Sequence, residues 1–208
     1  NVFNQVVIAT DNLLITDACE KLDMNFCMTD ENIETPTERV YQVALKYKAD
    51  LFISLNGDEP LISSKTISDF IPNNFESKFP YVKNLIATIK DPVEAIDPSN
   101  LKVVTNTKGQ VIYLSRQPIP YPKNELNFYF KKHVGLYAFN MMALEKYVST
   151  EMGELEKIEN IDLIRFLEIG ITIHTSTTHE YSLSIDYPKD LDKLKLFHHF
   201  NRGFFNCN

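Results

Sequence analysis

Short apolar runs alternate with segments of helical spacing over the first ninety residues, and that rhythm admits few architectures. Val6 to Thr10 reads as a buried strand, and Asp11 to Leu22 follows with Leu13, Leu14, Ala18 and Leu22 at helical intervals. Asn25 to Met28 is a second short strand. Thr35-Pro36 then starts a helix over Thr37 to Tyr47, with Val40, Val43, Ala44 and Tyr47 on one face. Leu51 to Leu55 is a third strand stopped by Asn56-Gly57, Ser63 to Phe75 a further helix and Leu85 to Ile89 a further strand. Strands separated by helices predict right-handed βαβ units, so the expected class is α/β, a mostly parallel sheet with helices on both faces.

Near residue 100 the rhythm changes. Leu101 to Thr105 and Val111 to Leu114 flank Asn-Thr-Lys-Gly, a hairpin in which Gly109 supplies the positive φ. Pro118, Pro120 and Pro122 stiffen the next stretch, and His133 to Phe139 reads as a strand returning to the core. Helices are predicted over Met142 to Ser149 and Ile158 to Glu168, a strand over Ile171 to Thr177, and a closing helix over Pro188 to Phe200. The reading is one domain over residues 1–208 with an antiparallel inserted subdomain at about 100–140. Residue 1 is Asn and a strand begins almost at once, so the chain is expected to start in mid-fold, with something upstream.

A formal net charge of −7 argues against a nucleic-acid partner, because phosphate backbones demand a basic face. A small anion would have to be met locally, by a bound metal or a few Lys and Arg. Cys19, Cys27 and Cys207 are odd in number and lack CxxC spacing, which suggests neither a disulfide framework nor a zinc site and fits a reducing cytoplasm. No run of 18 apolar residues marks a membrane span.

The segment Leu55-Asn56-Gly57-Asp58-Glu59-Pro60 carries the most chemical information. It lies at the carboxyl end of a buried strand, where open α/β sheets bind ligands, and Gly57 would let the backbone approach one. Asp58 is then a hard carboxylate suited to Mg²⁺, although Asn-Gly-Asp is also ordinary turn chemistry. Asp186, between a strand and a helix, is either a second metal carboxylate or a helix N-cap. His133 could donate to an anionic substrate or be structural. Glu156, Glu159 and Asp162, three apart on one predicted helical face, could hold cations or hydroxyls or form a wet surface.

Taken in order, Val7-Ile8-Ala9-Thr10-Asp11, Met28-Thr29, Thr37-Glu38-Arg39, Asn56-Gly57-Asp58-Glu59-Pro60, Asn100-Leu101-Lys102-Val103-Val104, Ser115-Arg116, Ile119-Pro120, His133-Val134-Gly135-Leu136-Tyr137 and Ile185-Asp186-Tyr187-Pro188-Lys189-Asp190-Leu191 resemble the CMP-Kdo synthetases. The resemblance implies a homodimeric nucleotidyltransferase with a Rossmann-like sheet. Such an enzyme couples CMP from CTP to Kdo, an acidic eight-carbon sugar used in lipopolysaccharide or capsule synthesis, and releases pyrophosphate. By position, Asp58 and Asp186 are implied as catalytic Mg²⁺ carboxylates. Thr37, Arg39, Asn56 and Gly57 are implied to border the nucleotide, and Arg116, His133, Tyr137, Glu159 and Asp162 to hold the sugar acid. The excursion at about 100–140 is implied to serve dimerisation and sugar binding. The proline-rich, aromatic stretch from Ile119 to Phe130 would otherwise expose much apolar surface.

The chain departs from the family pattern in four ways. The family's opening strand and basic loop have no counterpart here, its Gln before Gly-Asp-Glu-Pro is Asn56, and its Gly before Thr-Glu-Arg is Pro36. In the acidic helix an amide position is Leu163. These differences leave two alternatives: the same transfer to a Kdo analogue or nonulosonic acid, or a non-catalytic nucleotide- or sugar-binding module.

Overall fold

The computed structural model describes residues 3–73, 75–124, 128–185 and 187–195. The first half runs β1 (Ile8–Thr10), α1 (Leu13–Lys21), β2 (Phe26–Met28), α2 (Pro36–Ala44), β3 (Phe52–Leu55), α3 (Ser64–Phe70), β4 (Val82–Thr88) and α4 (Pro92–Ile96). The second half continues with β5 (Lys102–Thr105), β6 (Val111–Ser115), β7 (Lys131–Phe139), α5 (Met141–Val148), α6 (Glu154–Glu159), α7 (Leu163–Glu168) and β8 (Ile173–Thr178), and residues 188–195 are helical. Helices start where a side chain can accept from an otherwise unpaired amide. Asn12 accepts from Leu14, Thr35 from Glu38, Ser63 from Thr66 and Asn140 from Ala143.

The expected α/β layering is present, but its parallel character is confined to two pairings, β1 with β2 and β4 with β8. The larger sheet has the order β6-β5-β7-β4-β8, and β3 also pairs with β7. β7 runs antiparallel to β3, β4 and β5, and β5 is antiparallel to β6. The physical reason is the excursion: the chain leaves through the hairpin β5–β6 and re-enters between β3 and β4, opposed to both. Alternation of side chains along a strand tells which face is buried and carries no information on direction.

Helices cover both faces of this sheet. Val82, Ile86, Tyr137, Phe139 and Ile173 pack with Leu144 and Tyr147 of α5 and Phe166 of α7. On the opposite face Leu85, Ala87, Val134, Leu136 and Ala138 pack with Phe70 and Ile67 of α3. Gly109 has φ 72°, as its hairpin turn requires, and its carbonyl accepts from the Thr175 amide of β8 at 2.9 Å.

Two helix expectations are corrected. The helix expected to run to Phe75 ends at Phe70, because Pro72 disfavours helical backbone at Ile71, which is extended at φ −71° and ψ 127°. The single helix expected over Ile158 to Glu168 is two, broken at Asn160, which takes the left-handed conformation at φ 52° and ψ 54°. Asparagine tolerates that conformation, and the Asn160 amide donates to Glu156 O at 2.7 Å. The closing helix expected over Pro188 to Phe200 extends beyond residue 195, outside the described residues, as does Cys207. Among the described residues no helix is long and apolar enough to cross a membrane, and Cys19 and Cys27 are free and buried.

Candidate active site

The site is built on an irregularity in β7. Asn84 of β4 faces Tyr137, whereas Leu85 faces Val134, so Gly135 and Leu136 are extra residues bulged out of the pairing. The carbonyl of Gly135 accepts from the Asn56 amide at 2.8 Å, and the Gly135 amide donates to Glu59 Oε1 at 2.9 Å. A Cβ at Gly135 would lie 2.9 Å from Asn56 Cβ and Nδ2, so only glycine lets the end of β3 sit this close. Asn84 serves the bulge from the other side, donating from Nδ2 to the carbonyls of Val134 (2.9 Å) and Leu136 (3.2 Å).

His133, Gly135 and Tyr137 line a cavity of about 600 Å³ at the carboxyl end of β3. His133 Nδ1 lies 3.1 Å from Asn84 Oδ1 and His133 Nε2 lies 3.0 Å from the Tyr137 hydroxyl, so both ring nitrogens are engaged. Burial pushes His133 down to about 4 and the Tyr137 hydroxyl well above its ordinary value, so both are neutral near pH 7.

One wall is held by buried charge. Asp58 Oδ1 is buried and has no hydrogen-bond partner among the described residues, while the Asp58 carbonyl accepts from the Ile185 amide at 2.9 Å. Next to it, Glu59 Oε2 accepts from Ser182 Oγ at 3.0 Å, and burial raises the Glu59 carboxyl above the usual range. Lys132 Nζ donates to Ser182 O at 2.9 Å and pairs with Glu94 Oε2 at 3.3 Å. The segment after β8 is therefore fastened to β3 and β7 at Ser182 and Ile185.

The opposite wall comes from the broken helix, and here the shared acidic face of Glu156, Glu159 and Asp162 is corrected: the three point to different partners. Glu156 is buried against Arg165, at 2.6 Å and 2.8 Å. Glu159 accepts from Ser115 Oγ at 2.6 Å and from the Arg116 amide at 3.0 Å. Asp162 accepts from Thr37 Oγ1 at 2.7 Å, and burial raises its carboxyl above the usual range. Arg116 is held by three carbonyls, those of Glu159 (2.8 Å), Pro98 (3.1 Å) and Asn160 (3.1 Å).

Of the residues singled out from sequence, Asn56, Asp58, Arg116, His133, Tyr137 and Asp162 line this one cavity. Thr37 stands behind Asp162, and Glu159 behind Arg116. Arg39 is elsewhere along the strand ends, bonded to Thr29 and, at 2.8 Å, to Asp11. A Cβ at Gly57 would meet nothing within 4 Å, so packing within the chain does not require that glycine. Asp186 lies outside the described residues. Sequence reasoning gave no role to Glu59, Asn84, Lys132 or Ser182. Only Glu59 carried a signal, its place beside Asp58.

A cytidylyltransferase family profile matches residues 1–173. The 3-deoxy-manno-octulosonate cytidylyltransferase of Rickettsia bellii (strain OSU 85-389) is 36% identical over 197 residues, covering 93% of this chain and 78% of that protein. The protein of the same name from Escherichia coli is 32% identical, covering 92% and 77%. A solved structure of CMP:2-keto-3-deoxy-manno-octonic acid synthetase complexed with CTP superposes with a TM-score of 0.83 at 31% identity, over 95% of this chain and 81% of that one. A putative glucose-1-phosphate thymidylyltransferase from Bacillus anthracis, at TM-score 0.61 and 9% identity, shares the fold. With the profile spanning most of the chain and relatives above 30% identity over most of their own length, the chain belongs to the CMP-Kdo synthetase family of cytidylyltransferases.

Proposed function

We propose that the chain transfers CMP from CTP to Kdo, acting as a Mg²⁺-dependent, cytoplasmic homodimer. The observation that carries this reading is Asp58 Oδ1: a buried carboxylate oxygen without a partner among the described residues, on the wall of the cavity. A buried charged oxygen left bare is costly, and a hard divalent cation is the partner its chemistry fits. Asp58 would hold that ion with Asp186, the residue after Ile185, whose amide bonds the Asp58 carbonyl. An ion held there would supply charge stabilisation on the phosphates and help orient nucleophile and leaving group.

The chain's own residues do the positioning. Thr37, Arg39, Asn56 and Gly57 border the nucleotide. Arg116, already fixed by three carbonyls and backed by Glu159, shapes the sugar pocket with His133, Tyr137 and Asp162. A sugar hydroxyl oxygen bonds to the α-phosphorus, the bond to the bridging oxygen breaks, pyrophosphate leaves with the electron pair, and the hydroxyl proton passes to solvent. Residues 1–208 are read as a single domain with the insert at about 100–140. Tyr121 and Tyr129, 85% and 65% exposed, support the reading of the insert's apolar face as the dimer contact.

The test is pyrophosphate release from CTP across a panel of sugar acids, with light scattering for the dimer. Turnover with Kdo at saturating Mg²⁺ supports the reading. Release only with a nonulosonic acid moves the acceptor, and CTP binding without release makes the chain a binding module.

A further inference from the structure

The polar chain behind the cavity fixes the direction of each hydrogen bond in it. Asn84 Nδ2 faces two carbonyl oxygens, of Val134 and Leu136, and carbonyls only accept. The amide of Asn84 therefore cannot be turned over without setting oxygen against two oxygens in a fully buried place. With the amide so oriented, the atom presented to His133 Nδ1 is Oδ1, an acceptor, and His133 Nδ1 must carry the hydrogen. A neutral imidazole then has a bare Nε2, to which the Tyr137 hydroxyl donates. The Tyr137 oxygen is left with its lone pairs free to accept.

We propose that Asn84 is a positioning residue of this site, which by fixing the tautomer of His133 turns the Tyr137 oxygen into a hydrogen-bond acceptor for a substrate hydroxyl. The proposal rests on the reading of the cavity as the sugar-acid site. It reverses the role expected for His133 from sequence: the ring gives no proton to an anion, and His133 with Tyr137 selects for donors. The sugar carboxylate is consequently met elsewhere; of the two cations on the cavity wall, Lys132 is already paired with Glu94, which leaves Arg116 for it. Burial keeps His133 from taking a second proton, which would reverse the Tyr137 hydroxyl.

The test is the imidazole ¹⁵N spectrum of the full chain at pH 7 without substrate, with His133 assigned by its loss in His133→Gln. The expected pattern is a protonated Nδ1 and a bare Nε2. A protonated Nε2, or an imidazolium, overturns the proposal. In Tyr137→Phe the same tautomer should persist, because Asn84 sets it, and a switch there would assign the control to Tyr137 and overturn the proposal as well. Asn84→Ala should mix the tautomers and raise KM for Kdo about tenfold, with KM for CTP unchanged. A folded Asn84→Ala with unaltered KM for Kdo also overturns it. If this variant fails to fold, the wild-type and Tyr137→Phe spectra still decide. The spectra are read without turnover, so the expected tautomer in a chain that fails to transfer CMP counts against the proposed function alone.

Discussion

The main-chain amide of Ile185 donates to the carbonyl of Asp58 at 2.9 Å, which joins the segment after β8 to the end of β3. Ile185 directly precedes in sequence Asp186, the second proposed metal carboxylate. Asp58→Asn keeps this bond and the side-chain shape but removes a charge. Turnover should fall by roughly a hundredfold or more, while the thermal midpoint stays close to that of the parent. Near-normal turnover at saturating Mg²⁺ would remove Asp58 from the metal site.

Gly135→Ala tests the close approach of β3 and β7. The new methyl would sit 2.9 Å from the Cβ and Nδ2 of Asn56, and a Cβ cannot rotate away. The expected cost is about 1–3 kcal/mol in urea unfolding, with a rise in KM because Asn56 is displaced from the cavity wall. A variant as stable and active as the parent would show that β3 can withdraw freely.

Glu156 and Arg165 are both nearly inaccessible and meet in a paired contact that ties α6 to α7. Glu156→Gln removes the close counter-charge of the buried guanidinium and leaves it only the more distant carboxylate of Glu38, at 3.8 Å, so the loss should stay below the roughly 3–5 kcal/mol of a fully unpaired buried charge. In Glu156→Leu with Arg165→Met the loss should be well below the sum of the single losses. Additive losses in a double-mutant cycle would mean the two groups act independently.

Stability should fall in mild acid through His133. Its folded value is depressed to about 4 from 6.5, so between these values the unfolded chain binds a proton that the folded chain refuses. The contribution is complete above pH 6.5, is lost as pH falls toward 4 and levels off below, amounting to at most about 3 kcal/mol. Urea midpoints of parent and His133→Gln measured from pH 7 to pH 4 should converge as the pH drops. Parallel curves would show that the ring is solvated.

Much of the fold was legible because its signals are local. Leu51 to Leu55 announces β3, Thr35-Pro36 announces α2, and Lys108-Gly109 announces the hairpin turn. What stayed hidden depends on partners distant in sequence. The apolar spacing of Ile158, Ile161 and Ile164 runs straight through the break, and only the structure shows Asn160 left-handed, with Glu156, Glu159 and Asp162 turned to three partners. Asn84 falls just outside the strand expected from Leu85, and its two carbonyl partners belong to a bulge far along the chain. The direction of β7 was illegible for the reason already given: pairing geometry is not written in side-chain periodicity.

The pairing of β7 on both edges, with β4 along one and with β5 and β3 along the other, has a consequence for amide exchange. Fraying of the hairpin or of the segment after β8 leaves most β7 amides covered, so they exchange only through opening of the entire fold. The floor of the cavity is thus among the last parts of the molecule to meet solvent. Ligand binding will slow exchange at residues 179–185 far more than in β7, where protection is already at the ceiling set by global stability.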